Sequence, residues 1–372
     1  MKRVLHIIDH LGLGGAQSVL VDLVTLINRK EWHCEVAVMH GRGVFREILE
    51  RHDITVHELS ASRWPPHYIP ALVKLQENFD LLHFHLSGAN WIAKPLAAIA
   101  GEQPRIAHDH ASADLRFRGL GSLFMDAHMH RFSSHTIAVS PEVKIFLTHY
   151  EALPEESVTV IANGINTEIF RPSTLDEKEE ARLFFGLNKR DFIIGSVGRL
   201  ALEKNQTLFL QAAAQALAQG LSATYLLAGT GPQEERLQNL VAELGIKDHV
   251  RFLGHVEDRV RLYRALDLFV LTSHYEGLPM ALLEAMASGV PVVSTDLVGI
   301  HHALEGGRHG ILIPPGDLEA LTQCLLHDNN TKFQQSALSA RQKIETDFSA
   351  QHAVKKLEKL YESLVLNKRA VF

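Results

Sequence analysis

The chain is short of cysteine: Cys34 and Cys324 are the only two in 372 residues. Two thiols so far apart build no disulfide framework and match no metal-ligand spacing, so a reducing cytoplasm is the simplest compartment. It also has no basic excess. Lysine and arginine number 37 against 43 acidic residues, a formal net charge of −6. Without surplus cations to displace counterions, nucleic acid is not an expected partner. No apolar run reaches membrane-spanning length. The opening Met1-Lys2-Arg3 and the stretch Val4 to Asp9 lack the longer apolar core and small-residue cleavage site of a signal peptide. The 23 histidines include no zinc-protease pair. Scattered as at His57, His67 and His149, they read as solvated or partly buried imidazoles, and no metal site is expected.

What is present is ordinary for a soluble globular enzyme, with 46% hydrophobic and 22% charged residues and length enough for two domains. Short β-rich runs alternate with amphipathic segments. In the first half the candidate strands are Val4–Asp9, Glu35–His40, Asp80–His85, Arg105–His110, Thr136–Ser140 and Thr159–Ala162. In the second they are Phe192–Val197, Thr224–Ala228, Val250–Leu253, Leu268–Leu271, Val290–Ser294 and Gly310–Ile313. Helical patterns such as Gln17–Asn28 and Asn205–Gln219 lie between them, which reads as βαβ units with parallel sheets. The expected fold is α/β, two Rossmann-like doubly wound domains facing a central cleft, with ligands at the C-terminal ends of strands. The polar stretch from Arg171 places the boundary after residue 170. Residues 1–170 then form an N-terminal domain and 171–349 a C-terminal one. Residues 350–372 form a helix and tail, with apolar positions at Ala350, Val354, Leu357, Leu360, Tyr361 and Leu364 and a choice of domain to pack on.

The most informative segment runs from His274 to Gly289 and holds two carboxylates, Glu276 and Glu284, around a helix start. Pro279 suits the first helical position, and Gly289 followed by Pro291 ends the helix. The amides of Gly277, Leu278 and Met280 then point, with the helix dipole, at one anion site. An anion cradle between two hydroxyl-binding carboxylates suits a sugar linked through a diphosphate to a nucleoside. Gly198-Arg199 and Lys204 follow the first strand of the second half, where Arg can grip phosphate bidentately and Lys acts as a point charge. Gly14 and Gly15, after the first strand, let backbone approach a phosphate. Gln17 and the missing acidic residue at His40 speak against a dinucleotide fingerprint. His83, His85, His108 and His110 close two strands, each pair on one strand face, and one such face could look into the cleft.

Together these residues resemble the large family of retaining glycosyltransferases with the GT-B fold, the glycosyl transferases group 1 or family 4 type. The resemblance rests on Gly14-Gly15, Asn163-Gly164-Ile165-Asn166, Gly198-Arg199-Leu200 with Lys204, Gly229-Thr230-Gly231-Pro232, and the Glu-x7-Glu spacing of Glu276 and Glu284. It implies that Arg199 and Lys204 hold the donor diphosphate in place of a metal, and that Glu276 contacts sugar hydroxyls while Glu284 binds the ribose. The amides near Leu278 and Met280 add to the anion site, and Gly15 lies against the diphosphate. A histidine after the fourth strand sits near the reacting centre, His110 by spacing with His108 as the alternative. Gln17 and the run Gly299-Ile300-His301-His302 depart from the family pattern.

The expected activity is retaining, metal-independent transfer of a hexose-type sugar, from a nucleotide donor of UDP type, to a growing glycan or lipid-linked acceptor. The setting implied is bacterial capsule or lipopolysaccharide assembly, in the cytoplasm and near the inner membrane face. Rivals are a nucleotide-sugar epimerase or hydrolase on the same frame and an idle nucleotide-sugar sensor. Between Asp114 and Arg131, Arg116, Phe117, Arg118, Phe124 and Met125 mix cationic and bulky apolar side chains. That segment either rests on anionic lipid or a lipid-linked acceptor, or packs as a helix inside the first domain.

Overall fold

The computed structural model describes residues 1–12, 14–41, 43–60, 69–109, 120–326 and 330–370. The chain forms two compact units, Met1–Gly164 with Ala350–Phe372, and Ile165–Ser349.

Unit 1 is built on a seven-stranded sheet in the order β3-β2-β1-β4-β5-β6-β7. Its strands are β1 (Lys2–Ile8), β2 (Trp32–Val38), β3 (Val56–Glu58), β4 (Leu81–His85), β5 (Arg105–Asp109), β6 (His135–Ala138) and β7 (Val158–Val160). All pairings are parallel. A parallel sheet covered on both faces needs continuous rather than alternating apolar runs. Val4, Leu5, Ile7 and Ile8 on β1 supply one, all fully buried.

Unit 2 carries a six-stranded sheet in the order β10-β9-β8-β11-β12-β13. These are β8 (Phe192–Val197), β9 (Ala223–Ala228), β10 (Val250–Gly254), β11 (Leu268–Leu271), β12 (Val292–Thr295) and β13 (Ile311–Ile313). The helix Gln206–Ala218 packs Leu208, Phe209, Ala212 and Ala213 into the core against Tyr225 and Leu227 of β9. In each sheet the strand order reverses once, beside β1 and β4 in unit 1 and beside β8 and β11 in unit 2. A doubly wound sheet leaves its ligand crevice at such a reversal.

The unit boundary falls at Gly164/Ile165 rather than after residue 170. Hydrogen bonds decide it. The Ile165 amide donates to the Phe348 carbonyl at 2.7 Å, and Arg341 donates to the carbonyls of Thr167 and Phe170 at 3.0 and 2.6 Å. β3 was not expected, because three residues on a sheet edge carry too little pattern to be read. Pro279 precedes the helix Met280–Ala287 as its cap instead of opening it, with ψ near 119°.

The C-terminal helix Ala350–Ala370 belongs to unit 1, and Ala350, Val354, Leu357, Leu360 and Tyr361 of its expected stripe are buried. Beneath Tyr361 the histidines are neither scattered nor solvated. His6 on β1 pairs in register with His83 on β4, and His85 with His108 on β5, so adjacent strands stack four buried imidazoles on one face. The Tyr361 hydroxyl is hydrogen-bonded with His83 Nδ1 at 2.6 Å and with His6 Nε2 at 3.3 Å. His6 Nδ1 in turn meets His85 Nε2 at 3.0 Å. Each neutral imidazole offers one donor and one acceptor, so such a chain can be satisfied without charge. Burial pushes the His6 imidazole down to about 3.

Two outcomes follow for unit 1, which holds all three tryptophans, so that their fluorescence reports it alone. Tyr361→Phe should cost about 1–3 kcal/mol in urea unfolding followed by tryptophan emission, since a hydroxyl bonded to two buried rings is lost. Because the His6 ring is held neutral when folded, the unfolded chain takes up the extra proton on acidification. Stability should therefore be full above the ordinary histidine pKa and fall, by ~1.4 kcal/mol per pH unit from His6 alone, as pH drops from about 6.5 toward 3. His6→Gln should flatten that slope.

Candidate active site

The site in unit 2 begins with glycines. Gly198 follows β8 with a φ of +157° that no side chain adopts easily, and the chain turns at once into Arg199. A Cβ on Gly229 would lie 1.9 Å from the Gly198 carbonyl oxygen, and one on Gly231 2.3 Å from the Leu200 oxygen. The Gly229-Thr230-Gly231 turn is thus glycine-built so that it can press against the Arg199 loop. The Leu200 amide donates to the Thr230 carbonyl at 3.0 Å and the Gln233 amide to the Leu200 carbonyl at 2.9 Å. Arg199 leaves this braced loop with 68% of its side chain exposed, 4.0 Å from Glu203.

Lys204 closes the next turn. Asn205 then takes a left-handed conformation (φ 47°, ψ 45°), which asparagine tolerates better than most residues, and the helix Gln206–Ala218 starts. The Thr272 hydroxyl, just past β11, donates to the carbonyls of Lys204 and Asn205 at 3.1 and 2.9 Å, tying that turn to the neighbouring strand end. The result is contact between the two ends. Lys204 Nζ donates to Glu276 Oε1 at 2.5 Å, and the Ser273 hydroxyl donates to the same oxygen at 2.7 Å. Burial and the neighbouring carboxylates of Glu203 and Glu276 raise the Tyr275 hydroxyl.

Gly277, Leu278 and Pro279 lead from Glu276 into the helix Met280–Ala287. A Cβ on Gly299 would fall 1.6 Å from the Gly277 carbonyl oxygen, so the helix Val298–Ala303 lies directly against the Glu276 loop. This explains Gly299 within a run that departs from the family pattern. Glu284 sits in the Met280–Ala287 helix with 1% of its side chain exposed and pairs with Arg259. Burial raises its carboxyl, and Arg259 opposes that rise. Arg259 was missed by the sequence reading, because a single arginine on a short helix has no spacing to mark it.

In unit 1, Gly14 precedes the helix Gly15–Leu26, and Gln17, buried, turns its amide toward His10 at 3.4 Å from the carbonyl oxygen. Asp9 accepts from the amides of Gly88 and Ala89 at 3.0 and 2.5 Å, and Leu86 between β4 and that turn is left-handed at φ 67°. A non-glycine residue held there stores backbone strain at the strand-order reversal. His85 and His108 do not stand open at their strand ends. Both are buried with His6 and His83. His110 lies outside the described residues. The structure thus brings Gly198, Lys204, Glu276, Gly277, Leu278, Pro279, Met280 and Glu284 into one region of unit 2 with Arg199 at its rim. Gly14, Gly15, His85 and His108 belong to unit 1. Among the described residues the one group able to hold a metal ion is His6, His83 and His85, whose ligand atoms lie within 4.8 Å of one another. Their hydrogen bonds to one another and to Tyr361 already account for that burial.

Chemically, unit 2 offers two cations and a helix N-terminus beside a lysine-paired carboxylate, with a second, buried carboxylate further down the same helix. That is a site for an anion flanked by hydroxyls. Residues 177–339 match the family model described as Glycosyl transferases group 1, and residues 13–169 that of Glycosyltransferase Family 4. The chain belongs to the group 1 glycosyltransferases. It is 25% identical over 301 residues, 79% of this chain and 78% of the other, to the UDP-Gal:alpha-D-GlcNAc-diphosphoundecaprenol alpha-1,3-galactosyltransferase of Escherichia coli. It is 32% identical over 216 residues, 56% of this chain and 61% of the other, to the lipopolysaccharide core biosynthesis mannosyltransferase LpsB of Rhizobium meliloti (strain 1021). The solved structure of Anabaena HepE in complex with UDP-glucose superposes with a TM-score of 0.88 at 24% identity, over 98% of this chain and 100% of that one. That likeness gives the fold, GT-B with two Rossmann-like domains.

Gly299→Ala tests the packing behind Glu276. The added methyl meets backbone rather than a flexible side chain, so it should lower stability by about 1–3 kcal/mol. Turnover should fall beyond what the melting shift explains. Gly121→Ala, a helical glycine where no atom lies within 4 Å of the new Cβ, is the control. Equal activity in the two variants would detach the Glu276 loop from this contact.

Proposed function

We propose that this glycosyltransferase moves a hexose-type sugar from a UDP-linked donor, with retention of configuration and without a metal ion. The acceptor we infer is a glycan or lipid-linked intermediate of bacterial cell-surface polysaccharide assembly, handled on the cytoplasmic side. The observation that carries the reading is the junction of Lys204, Glu276 and the Met280–Ala287 helix N-terminus where the strand order of unit 2 reverses. Similarity to a UDP-Gal-dependent transferase acting on a diphosphoundecaprenol-linked sugar, to a lipopolysaccharide core enzyme and to HepE with UDP-glucose supports donor and setting.

The chemistry follows from charge. As the glycosidic bond to phosphate lengthens, the sugar becomes oxocarbenium-like and negative charge collects on the departing diphosphate. Lys204 and Arg199 lie where they can neutralise it, the helix N-terminus adds a partial positive charge, and no metal is needed for that task. Lys204 is held by Glu276, which the Ser273 hydroxyl also anchors, so the ammonium is already oriented when a diphosphate takes over as its partner. Glu276 is then released toward the sugar hydroxyls, while Glu284 serves the ribose. The roles of Gly14 and Gly15 at the diphosphate and of His110 at the reacting centre rest on the family resemblance alone.

A donor screen in EDTA, following nucleoside diphosphate release from a panel of nucleotide sugars, tests this. Release from a UDP-sugar should persist without metal and fall about a hundredfold or more in Lys204→Ala and in Glu276→Ala, the usual loss for one transition-state donor. Nucleotide binding without turnover on any acceptor would favour a sensor. Loss of activity in EDTA, restored by magnesium, would end the metal-independent reading. Membrane proximity has its own test. Phe124 on the helix Leu120–His130 is 63% exposed, and Met125 beside it is also exposed. Phe124→Ser should reduce co-sedimentation with phosphatidylglycerol vesicles, and unchanged sedimentation would remove the membrane from the proposal.

A further inference from the structure

Glu284 is an expensive residue where it stands. Its helix neighbours Leu282, Leu283, Ala285, Met286 and Ala287 are all buried and apolar, and it is the only charged side chain in the helix. A carboxylate so placed either finds a cation or takes up a proton. The cation is Arg259, first residue of the helix Arg259–Ala265, reaching across from the turn after β10 to Glu284 Oε1. Asp258 caps that helix by accepting from the Arg261 amide at 2.9 Å, which fixes where Arg259 leaves the backbone. The guanidinium carbon lies 6.0 Å from the Phe170 ring centroid, and Phe170 packs edge-on against Tyr263, one turn along from Arg259. The Tyr263 hydroxyl faces the same carboxylate and donates to the Ala281 carbonyl at 3.1 Å.

We propose that Arg259 is a positioning residue for the donor's nucleoside: its pairing with Glu284 keeps that carboxylate charged and turned to accept hydroxyl donors of the ribose. The inference rests on the assignment of the ribose to Glu284 made above. A buried ion pair is a poor device for stability alone, since an apolar pair of similar volume often serves as well or better. For recognition of a vicinal diol, charge matters. An ionised carboxylate accepts on both oxygens, whereas a protonated one must spend an oxygen as a donor. The groups that set this charge are burial, which raises the carboxyl, and Arg259 and the un-ionised Tyr263 hydroxyl, which lower it. Without Arg259 the balance tips toward the neutral acid as pH falls.

Calorimetric titration of the full-length protein with UDP, ADP and GDP, each beside its 2′-deoxy form, tests the proposal. The nucleotide that binds wild type should be preferred over its deoxy form by roughly tenfold or more, the worth of one charge-assisted hydrogen bond. Arg259→Gln should shrink that preference toward one, more strongly at about pH 6 than at about pH 8. Arg259→Lys should restore the pH independence but only part of the preference, because it keeps the charge and loses the planar fork. On a Glu284→Gln background, Arg259→Gln should change nothing further. A wild-type preference that Arg259→Gln retains at every pH overturns the role of Arg259 and leaves Glu284 on the ribose. No preference in wild type overturns the ribose assignment itself, and the inference with it. Should Arg259→Gln fail to fold, Arg259→Lys decides alone, an unchanged preference overturning the proposal.

Discussion

Lys204 and Glu276 carry opposite charges past the ends of two adjacent strands, β8 and β11, that are distant in sequence. They meet because the sheet of unit 2 grows outward in one direction from β8 and in the other from β11, the point at which a doubly wound sheet opens a crevice. Much of the local structure serves that meeting. Asn205 is left-handed to turn the chain after Lys204, and Thr272 ties the turn down from the far strand. Gly229 and Gly231 brace the Arg199 loop, and Gly299 backs the Glu276 loop. Remove any of these and the charges survive in the sequence but lose their relative position.

The two units handle polar burial in opposite ways. Unit 2 buries charge in pairs at its functional end, Lys204 with Glu276 and Arg259 with Glu284. Unit 1 buries four imidazoles in its sheet and hydrogen-bonds three of them, His6, His83 and His85, to one another and to a tyrosine hydroxyl. The first arrangement holds Lys204 ready to exchange its partner for a ligand and keeps Glu284 charged. The second is sensitive to acid, because burial holds the His6 ring neutral and only opening the fold returns it to its ordinary proton-accepting range.

Legibility followed pattern length. β8 and β11 were readable to the residue, since continuous Val, Ile, Leu and Phe between helical stretches admits few alternatives. Edge strand β3, with Val56, His57 and Glu58, offered no such run. The Glu276 to Gly289 segment was legible because glycine, proline and glutamate at fixed spacing each have a local reason to be there. Arg259 was not, for its partner lies far along the chain and only packing joins them. The histidines misled for a related reason. His6 and His83 are distant in sequence and adjacent in register, and composition alone suggested separate rings, solvated or partly buried. The domain boundary was displaced because the polar stretch at Arg171 marks a change in composition, whereas the hydrogen bonds of Ile165 and Arg341 mark the change in packing.

The return of the last helix to unit 1 has a consequence for how the molecule is made. Unit 2 is an insertion within unit 1, so the ribosome completes all of Ile165–Ser349 before it supplies Ala350 and Tyr361. Throughout that interval His6, His83 and His85 are without the hydroxyl that later closes over two of them. The nascent first sheet must wait, with its polar face uncovered, while the second folds as a continuous piece. Maturation of unit 1 therefore waits on synthesis of all of unit 2 and is not timed by the emergence of its own strands.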